Sequence, residues 1–305
     1  MEIIRTNKLT KYFGATPASD NINIHVKEGE IYGFLGLNGA GKTTLIRMLL
    51  GMIKPDSGNS GNIRLFGKPL TPQFDQWNDI GYLVETPYSY PSLSVAENLK
   101  VYYKLRQLTN PTLIDDIIEQ LKLTSYKDKK AKVLSLGNQQ RLGLAKALMH
   151  QPKLLILDEP INGLDPEGIV EVRELLKDLA RKGSTIFLSS HILGEISKVA
   201  SRIGIIHEGK LVKELTIEEL TSQLIKKIVV KTSDNTKAVR ELLDSNYKAV
   251  LTDNDEIEIT NSDAIAKPEN ISKLLVEKNL PPKQVYLFTE DLEMYFLRTI
   301  RNKSS

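Results

Sequence analysis

The sequence predicts an α/β domain built around a phosphate-binding loop, carrying an inserted helical lobe at about residues 87–150. A smaller α+β domain of split βαβ (ferredoxin-like) order is predicted to follow it. Three observations lead there. Ile31–Leu35 is a short, wholly apolar run, Gly36–Thr44 reads Gly-Leu-Asn-Gly-Ala-Gly-Lys-Thr-Thr, and Leu45, Ile46, Met48 and Leu49 then recur at helical spacing up to Gly51. Further on, Leu154–Leu157 ends in Asp158-Glu159-Pro160 and Thr185–Leu188 ends in Ser189-Ser190-His191, so strand-length apolar runs alternate with helical periods. From about Ser222 the texture changes: thirteen Lys/Arg face thirteen Asp/Glu, with no glycine and no further phosphate motif.

The strand, glycine-rich loop and helix between Ile31 and Gly51 form the context that a P-loop NTPase requires. Gly36, Gly41, Lys42 and Thr43 occupy the fixed positions of the motif, and Asn38, Gly39, Ala40 and Thr44 complete the loop. Glycines let successive N–H groups turn inward, and the helix N-terminus adds partial positive charge. Lys42 is placed to reach the β- and γ-phosphates and the Thr43 hydroxyl to bind Mg²⁺, which makes this a nucleoside triphosphate site.

Composition narrows the alternatives. At 305 residues the chain is long enough for two domains, and its 41% hydrophobic and 26% charged content is that of a globular protein. A net charge of +3 and the lack of a basic run argue against nucleic acid as a partner. Absence of cysteine removes disulfides, thiol nucleophiles and Cys-type metal sites. No window of eighteen apolar residues occurs and the N-terminus reads as no secretion signal, so a cytoplasmic protein without its own membrane span is expected.

In chain order, Ile3–Leu9 and Ile22–Val26 read as half-exposed strands, with Lys11-Tyr-Phe-Gly14 as a loop between them. Phe13 in that loop either stacks on a nucleotide base or packs under the sheet. Pro55–Asn62 reads as a loop, followed by a strand at Ile63–Phe66. Ile80–Val84 is another buried strand, and Glu85–Pro91 a loop bearing Tyr88 and Tyr90. Ser94 and Glu97 have capping-box spacing at the head of a helix, and Leu113–Leu121 gives a second one. At Leu134-Ser-Leu-Gly-Asn-Gln-Gln-Arg141, Ser135 and Gly137 stand at the mouth of a third helix, a second anion-binding helix start. Asp158 and Glu159 stand at the carboxyl end of a core strand, where open α/β sheets bind ligands. Helices over Ile169–Lys182 and Glu195–Ala200 and a hairpin of Ile203–His207 with Lys210–Val212 complete the first domain, 1–221. The second, 222–305, reads as strand Ile228–Thr232, helix Lys237–Leu243, strands Lys248–Leu251 and Glu256–Ile259, helix Glu269–Glu277, strand Gln284–Leu287 and helix Leu292–Arg301.

With Gly36–Thr44, Leu134–Arg141, Asp158-Glu159 and Ser190-His191 in this order, the first 215 or so residues resemble an ATP-binding subunit of an ABC transporter. The Leu134-Ser-Leu-Gly137 signature makes the resemblance specific. It implies that Thr43, and Asp158 through water, hold Mg²⁺, that Glu159 orients the attacking water, and that His191 contacts the γ-phosphate. It also implies that Phe13 stacks on adenine, that Asp165 speaks across a dimer interface, and that Ser135 and Gly137 bind the γ-phosphate held mainly by the other subunit. Read without the resemblance, Glu159 is a structural carboxylate or the base, and His191 a capping histidine or a phosphate ligand.

Position 85, after the strand Ile80–Val84, departs from the family's commonest pattern. A glutamine is usual there; Glu85 keeps an oxygen for Mg²⁺ and loses the amide donor. This, with Leu134-Ser-Leu-Gly-Asn-Gln-Gln-Arg and Ser189-Ser-His-Ile-Leu-Gly-Glu, is similar to the subgroup that exports bacitracin and lantibiotic-type peptides. The resemblance implies a motor for a separate polytopic membrane permease, working at the cytoplasmic face of the membrane as an ATP-dependent homodimer or a dimer with a related subunit. Tyr88 and Tyr90 then meet the permease or pack within the helical lobe. A soluble ABC-type ATPase that remodels a ribosome or nucleic-acid complex is the competing class, and a nucleotide sensor without turnover a third. The domain at 222–305 is open between a dimer brace, a regulatory domain and a docking surface.

Overall fold

The computed structural model describes residues 1–56, 63–85 and 87–301. The expected loop over Pro55–Asn62 falls mostly outside them, as does Thr86. The chain divides into two compact units, Met1–Ile217 with the residues from Thr299 onward, and Glu218–Arg298.

The first unit opens with β1 (Glu2–Thr6), β2 (Leu9–Phe13), β3 (Thr16–Ile22) and β4 (His25–Lys27). The two long strands expected here are both broken, and Thr6 supplies the reason. Its buried hydroxyl donates to the Ile22 carbonyl at 3.0 Å and accepts from the Ile24 amide at 2.8 Å, so a side chain takes over ladder bonds just where the strands part. Lys8 turns at φ +48 and its amide donates to Asn23 Oδ1. The stretch expected as a loop at Lys11–Gly14 is instead a hairpin: Phe13 pairs with Thr16, and Gly14 at φ +61 makes the tight turn.

β5 (Ile31–Leu35) is buried throughout and leads through the glycine loop into α1 (Lys42–Leu49). β6 (Ile63–Leu65) and β7 (Lys68–Pro69) join β1 and β4 in one sheet of order β4-β1-β6-β7. β8 (Ile80–Leu83) then enters the main sheet. The helical insertion follows as α2 (Val95–Leu105), α3 (Leu113–Gln120) and α4 (Leu136–Leu148). Ser94 and Glu97 form the expected capping box on α2. β9 (Leu154–Asp158), α5 (Pro166–Arg181), β10 (Thr185–Ser190), α6 (Leu193–Ile196), β11 (Arg202–His207) and β12 (Lys210–Thr216) complete the unit. α6 is shorter and earlier than the helix expected at Glu195–Ala200.

The main sheet has the order β12-β11-β5-β10-β9-β8, parallel except for β12. Strands buried on both faces explain the uninterrupted apolar runs. Tyr32 and Phe187 stack at 5.5 Å inside it, and Leu45, Ile46, Met48 and Leu49 pack α1 against the same core. Because the strands run in parallel, the segments following β5, β8, β9 and β10 emerge at one edge, and that edge carries Gly36, Glu85, Glu159 and His191.

The second unit holds all of α7 (Ile217–Ser222) but its first residue, then β13 (Lys226–Lys231), α8 (Asn235–Asp244), β14 (Ala249–Leu251), β15 (Ile257–Ile259), α9 (Ser262–Ala266), α10 (Glu269–Glu277), β16 (Gln284–Thr289) and α11 (Leu292–Arg301) as far as Arg298. The unit boundary precedes residue 221 because α7 begins directly at the end of β12. All three strand pairings are antiparallel, in the order β14-β15-β13-β16, the spatial order of a split βαβ sheet. Ala238 and Leu242 of α8 and Ile271 and Leu275 of α10 close its core over Ile228, Val230, Ile257 and Ile259. Among the described residues no helix is long and apolar enough to cross a membrane.

Candidate functional site

The loop between β5 and α1 coils tightly. Gly39 sits at φ +80, and Gly41, the residue before α1, at φ +109. At Gly41 a Cβ would lie 1.9 Å from the Ala18 carbonyl oxygen, so only glycine lets the loop pass under β3. Lys42 is 6% exposed, and its ammonium donates to the carbonyls of Gly36 at 2.8 Å and Leu37 at 3.3 Å. Glu159 Oε1 lies 3.4 Å from the same nitrogen. A buried cation requires such partners, and these sit where a triphosphate would enter.

Asp158, 2% exposed at the end of β9, accepts from the Thr43 hydroxyl at 2.7 Å through one oxygen and from the Ser189 hydroxyl through the other. Glu159 follows at φ +48, in the left-handed region that a glutamate rarely adopts. Its amide faces both the carbonyl and the hydroxyl of Ser189 at 3.2 Å, and its carbonyl accepts from Gln140 of α4 at 3.0 Å. Its carboxylate meets His191 Nδ1 at 2.9 Å through the oxygen that does not face Lys42. The backbone strain at Glu159 thus aims its carboxylate over the phosphate loop.

Of these groups, Lys42, Thr43 and Glu159 line a cavity of about 390 Å³, which also takes in Thr16, Asn38, Gly39, Gly41 and Thr44, with Phe13 at its rim. Phe13 is 56% exposed at the hairpin tip, with the Lys11 ammonium 5.7 Å from its ring centroid, so it is not packed under the sheet. Gly36 and Ala40 are buried in the loop wall. A larger cavity of about 610 Å³, between Met48 and Trp77, has among the described residues Lys54 as its one ionisable lining group and none of the phosphate-loop residues.

Three expected residues stand apart from this cluster. Ser135 caps α4 by accepting from the Asn138 amide at 3.3 Å, and Gly137 packs against the Gly163 carbonyl, where a Cβ would be 3.0 Å away. Asp165 caps α5 in the same manner, accepting from Gly168 at 3.0 Å. None of the three lines the cavity. Glu85 also stands off: at φ +55 just past β8 it pairs with Arg47 of α1 at 2.5 Å and makes no bond to Thr43 or Asp158. Tyr88 and Tyr90 are exposed, edge to face at 5.8 Å, and do not pack within the lobe.

Sequence reasoning missed Ser189, Gln140 and Arg47. Ser189 was legible as the first polar residue after the apolar run Ile186–Leu188; Gln140 and Arg47 reach their partners only through tertiary packing.

The oxygen-only pair of Thr43 and Asp158 fits a hard cation such as Mg²⁺, which takes few protein ligands and completes its shell with phosphate and water. Among the described residues no group of three or more His, Cys, Asp or Glu side chains gathers into a metal site.

Comparison with known proteins supports the same reading. The ABC transporter family model matches residues 19–162. The bacitracin transport ATP-binding protein BcrA of Bacillus licheniformis is 41% identical, over 98% of this chain and 97% of its own. The lantibiotic transport ATP-binding protein SrtF of Streptococcus pyogenes is 37% identical over 70% of this chain and 90% of its own. Among solved structures, an ATP-binding subunit of an ABC transporter superposes with a TM-score of 0.65 at 26% identity, covering 72% of this chain and 92% of that one. The phosphate loop, the strand-end carboxylates and this likeness over nearly the whole length lead to one conclusion: the chain belongs to the ATP-binding subunits of ABC transporters, and it is an ATPase.

Proposed function

We propose that the chain energises export of a membrane-active peptide antibiotic of bacitracin or lantibiotic type, protecting the cell that makes or meets it. The observation that carries this is the end-to-end similarity to a bacitracin transport subunit, second unit included. The membrane path belongs to a separate polytopic permease, which places this subunit at the cytoplasmic face of the membrane.

In the reaction, Lys42 exchanges the Gly36 and Leu37 carbonyls and the Glu159 carboxylate for the β- and γ-phosphates. Glu159, released on that side and held by His191 on the other, orients the attacking water and accepts its proton. His191 then turns its other ring nitrogen to the γ-phosphate. Thr43 and Asp158 would hold Mg²⁺, which would supply charge neutralisation on the phosphates when bound. Glu85 would give it a further oxygen, in the place usually held by glutamine. Phe13 gives the adenine a stacking face at the cavity rim.

Ser135, Gly137 and Asp165, which stand away from their own chain's cavity, serve the nucleotide of a second subunit. Val133 and Leu136, exposed on either side of Ser135, supply apolar surface for that contact. Two such subunits close over two ATP molecules, and hydrolysis lets them part. The exposed Tyr88 and Tyr90 present this stroke to the permease. The division at Ile217 sets off an accessory unit, Glu218–Arg298.

A strain lacking this protein should be several-fold more susceptible to bacitracin or to a lantibiotic, and restored by wild type and not by Glu159→Gln. Unchanged susceptibility across a panel of both peptide classes would contradict the export reading.

A further inference from the structure

We infer that Arg47 is a positioning residue for the cation site: it holds the Glu85 carboxylate on α1 and releases it when Mg²⁺ arrives with the nucleotide. Arg47 lies one helical turn beyond Thr43, so both side chains share a face of α1. Glu85 follows β8, which pairs in parallel with β9 such that Leu83 stands opposite Leu157. Its strand end is therefore beside that of Asp158, about 5 Å away in the direction between strands. The left-handed turn at Glu85, φ +55, directs the side chain to α1, and Arg47 Nη2 donates to Oε1 at 2.5 Å.

Charge explains why a counter-ion is needed. Asp158 and Glu159 already set two carboxylates at this edge of the sheet, and a triphosphate adds several negative charges. A third carboxylate left free would repel the nucleotide before the cation is in place. A glutamine carries no charge and needs no such partner. The pair is also easy to break. Its side chains are 38% and 56% exposed, and exposed ion pairs are worth up to about 1 kcal/mol. A divalent cation can draw Glu85 away at little cost.

This inference rests on the reading of Glu85 as a cation ligand, and the test separates the two. In a Glu159→Gln background, which prevents turnover, binding of a fluorescent ATP analogue is titrated with Mg²⁺, and the Mg²⁺ concentration at half-saturation is compared. Arg47→Gln should lower that midpoint by up to about fivefold, the most that an exposed pair supports. Arg47→Lys should restore it, Glu85→Gln should raise it, and the double variant should match Glu85→Gln alone. Thermal melts report whether each variant is folded, and Arg47→Lys carries the comparison should Arg47→Gln melt early. If Arg47→Gln leaves the midpoint unmoved, or shifts it equally in Glu85→Gln protein, the latch is overturned while Glu85 remains a ligand. If Glu85→Gln itself leaves the midpoint unmoved, the ligand reading fails and the latch fails with it.

Discussion

At Glu159 the chain leaves β9, adopts φ +48, and is held from several directions at once. Ser189 takes its amide, Gln140 its carbonyl, and Lys42 and His191 its two carboxylate oxygens. A carboxylate so fixed meets the requirement of a base that must be in place before the substrate arrives. Glu159→Gln should therefore reduce steady-state hydrolysis by about 10²–10⁴-fold while ATP affinity is kept, as read by phosphate release against nucleotide titration. Gly41 carries the opposite lesson, that of a residue defined by what it lacks. A Cβ there would strike the Ala18 carbonyl and would have to accept φ +109, so Gly41→Ala should cost about 1–3 kcal/mol locally and abolish nucleotide binding; retained affinity in a titration would show that the loop can relax. The residues at fixed motif positions were legible from spacing alone, because phosphate binding dictates them. Arg47 was not, since on a helix wheel it reads as one more exposed basic residue.

Among the elements, α4 links the nucleotide edge to the outer surface. Its N-terminus carries Ser135, Gln140 reaches Glu159, and Gly143 approaches Pro87 so closely that a Cβ would sit at 2.6 Å. One turn on, Lys146 donates to the Tyr88 carbonyl and the Ser89 hydroxyl, both at 2.8 Å, with no carboxylate among these partners. Burial lowers this lysine from its ordinary 10.5 to about 8. Between those values the unfolded chain keeps a proton that the folded chain has released, so the Lys146 contribution to stability rises with pH across that window. The melting temperature of wild type minus that of Lys146→Met should therefore climb from pH 7.5 to pH 10; a flat difference would place the amine in water. The main-sheet strands and α5 were readable because their apolar runs and periods are long. The first hairpin was not, because the hydroxyl of Thr6 ends strands that the alternation alone would have continued. Short strands such as β14 and β15 were found with their ends misplaced by a residue, since nothing in a three-residue element marks its boundary.

On the scale of the whole molecule, one chain holds a nucleotide cavity that its own signature residues do not line. Phosphoryl transfer requires charge stabilisation from more than one side of the γ-phosphate, and in the proposed reaction Lys42 and His191 supply the near side. On the proposed reading, the helix start at Ser135 of a second copy supplies the far side. The most direct measurement is sedimentation of Glu159→Gln protein with saturating ATP and Mg²⁺, alone and with its permease in detergent. A shift from single subunits to pairs, abolished by Ser135→Arg, is expected. A species that stays single in both settings would contradict closure of two subunits over shared nucleotides.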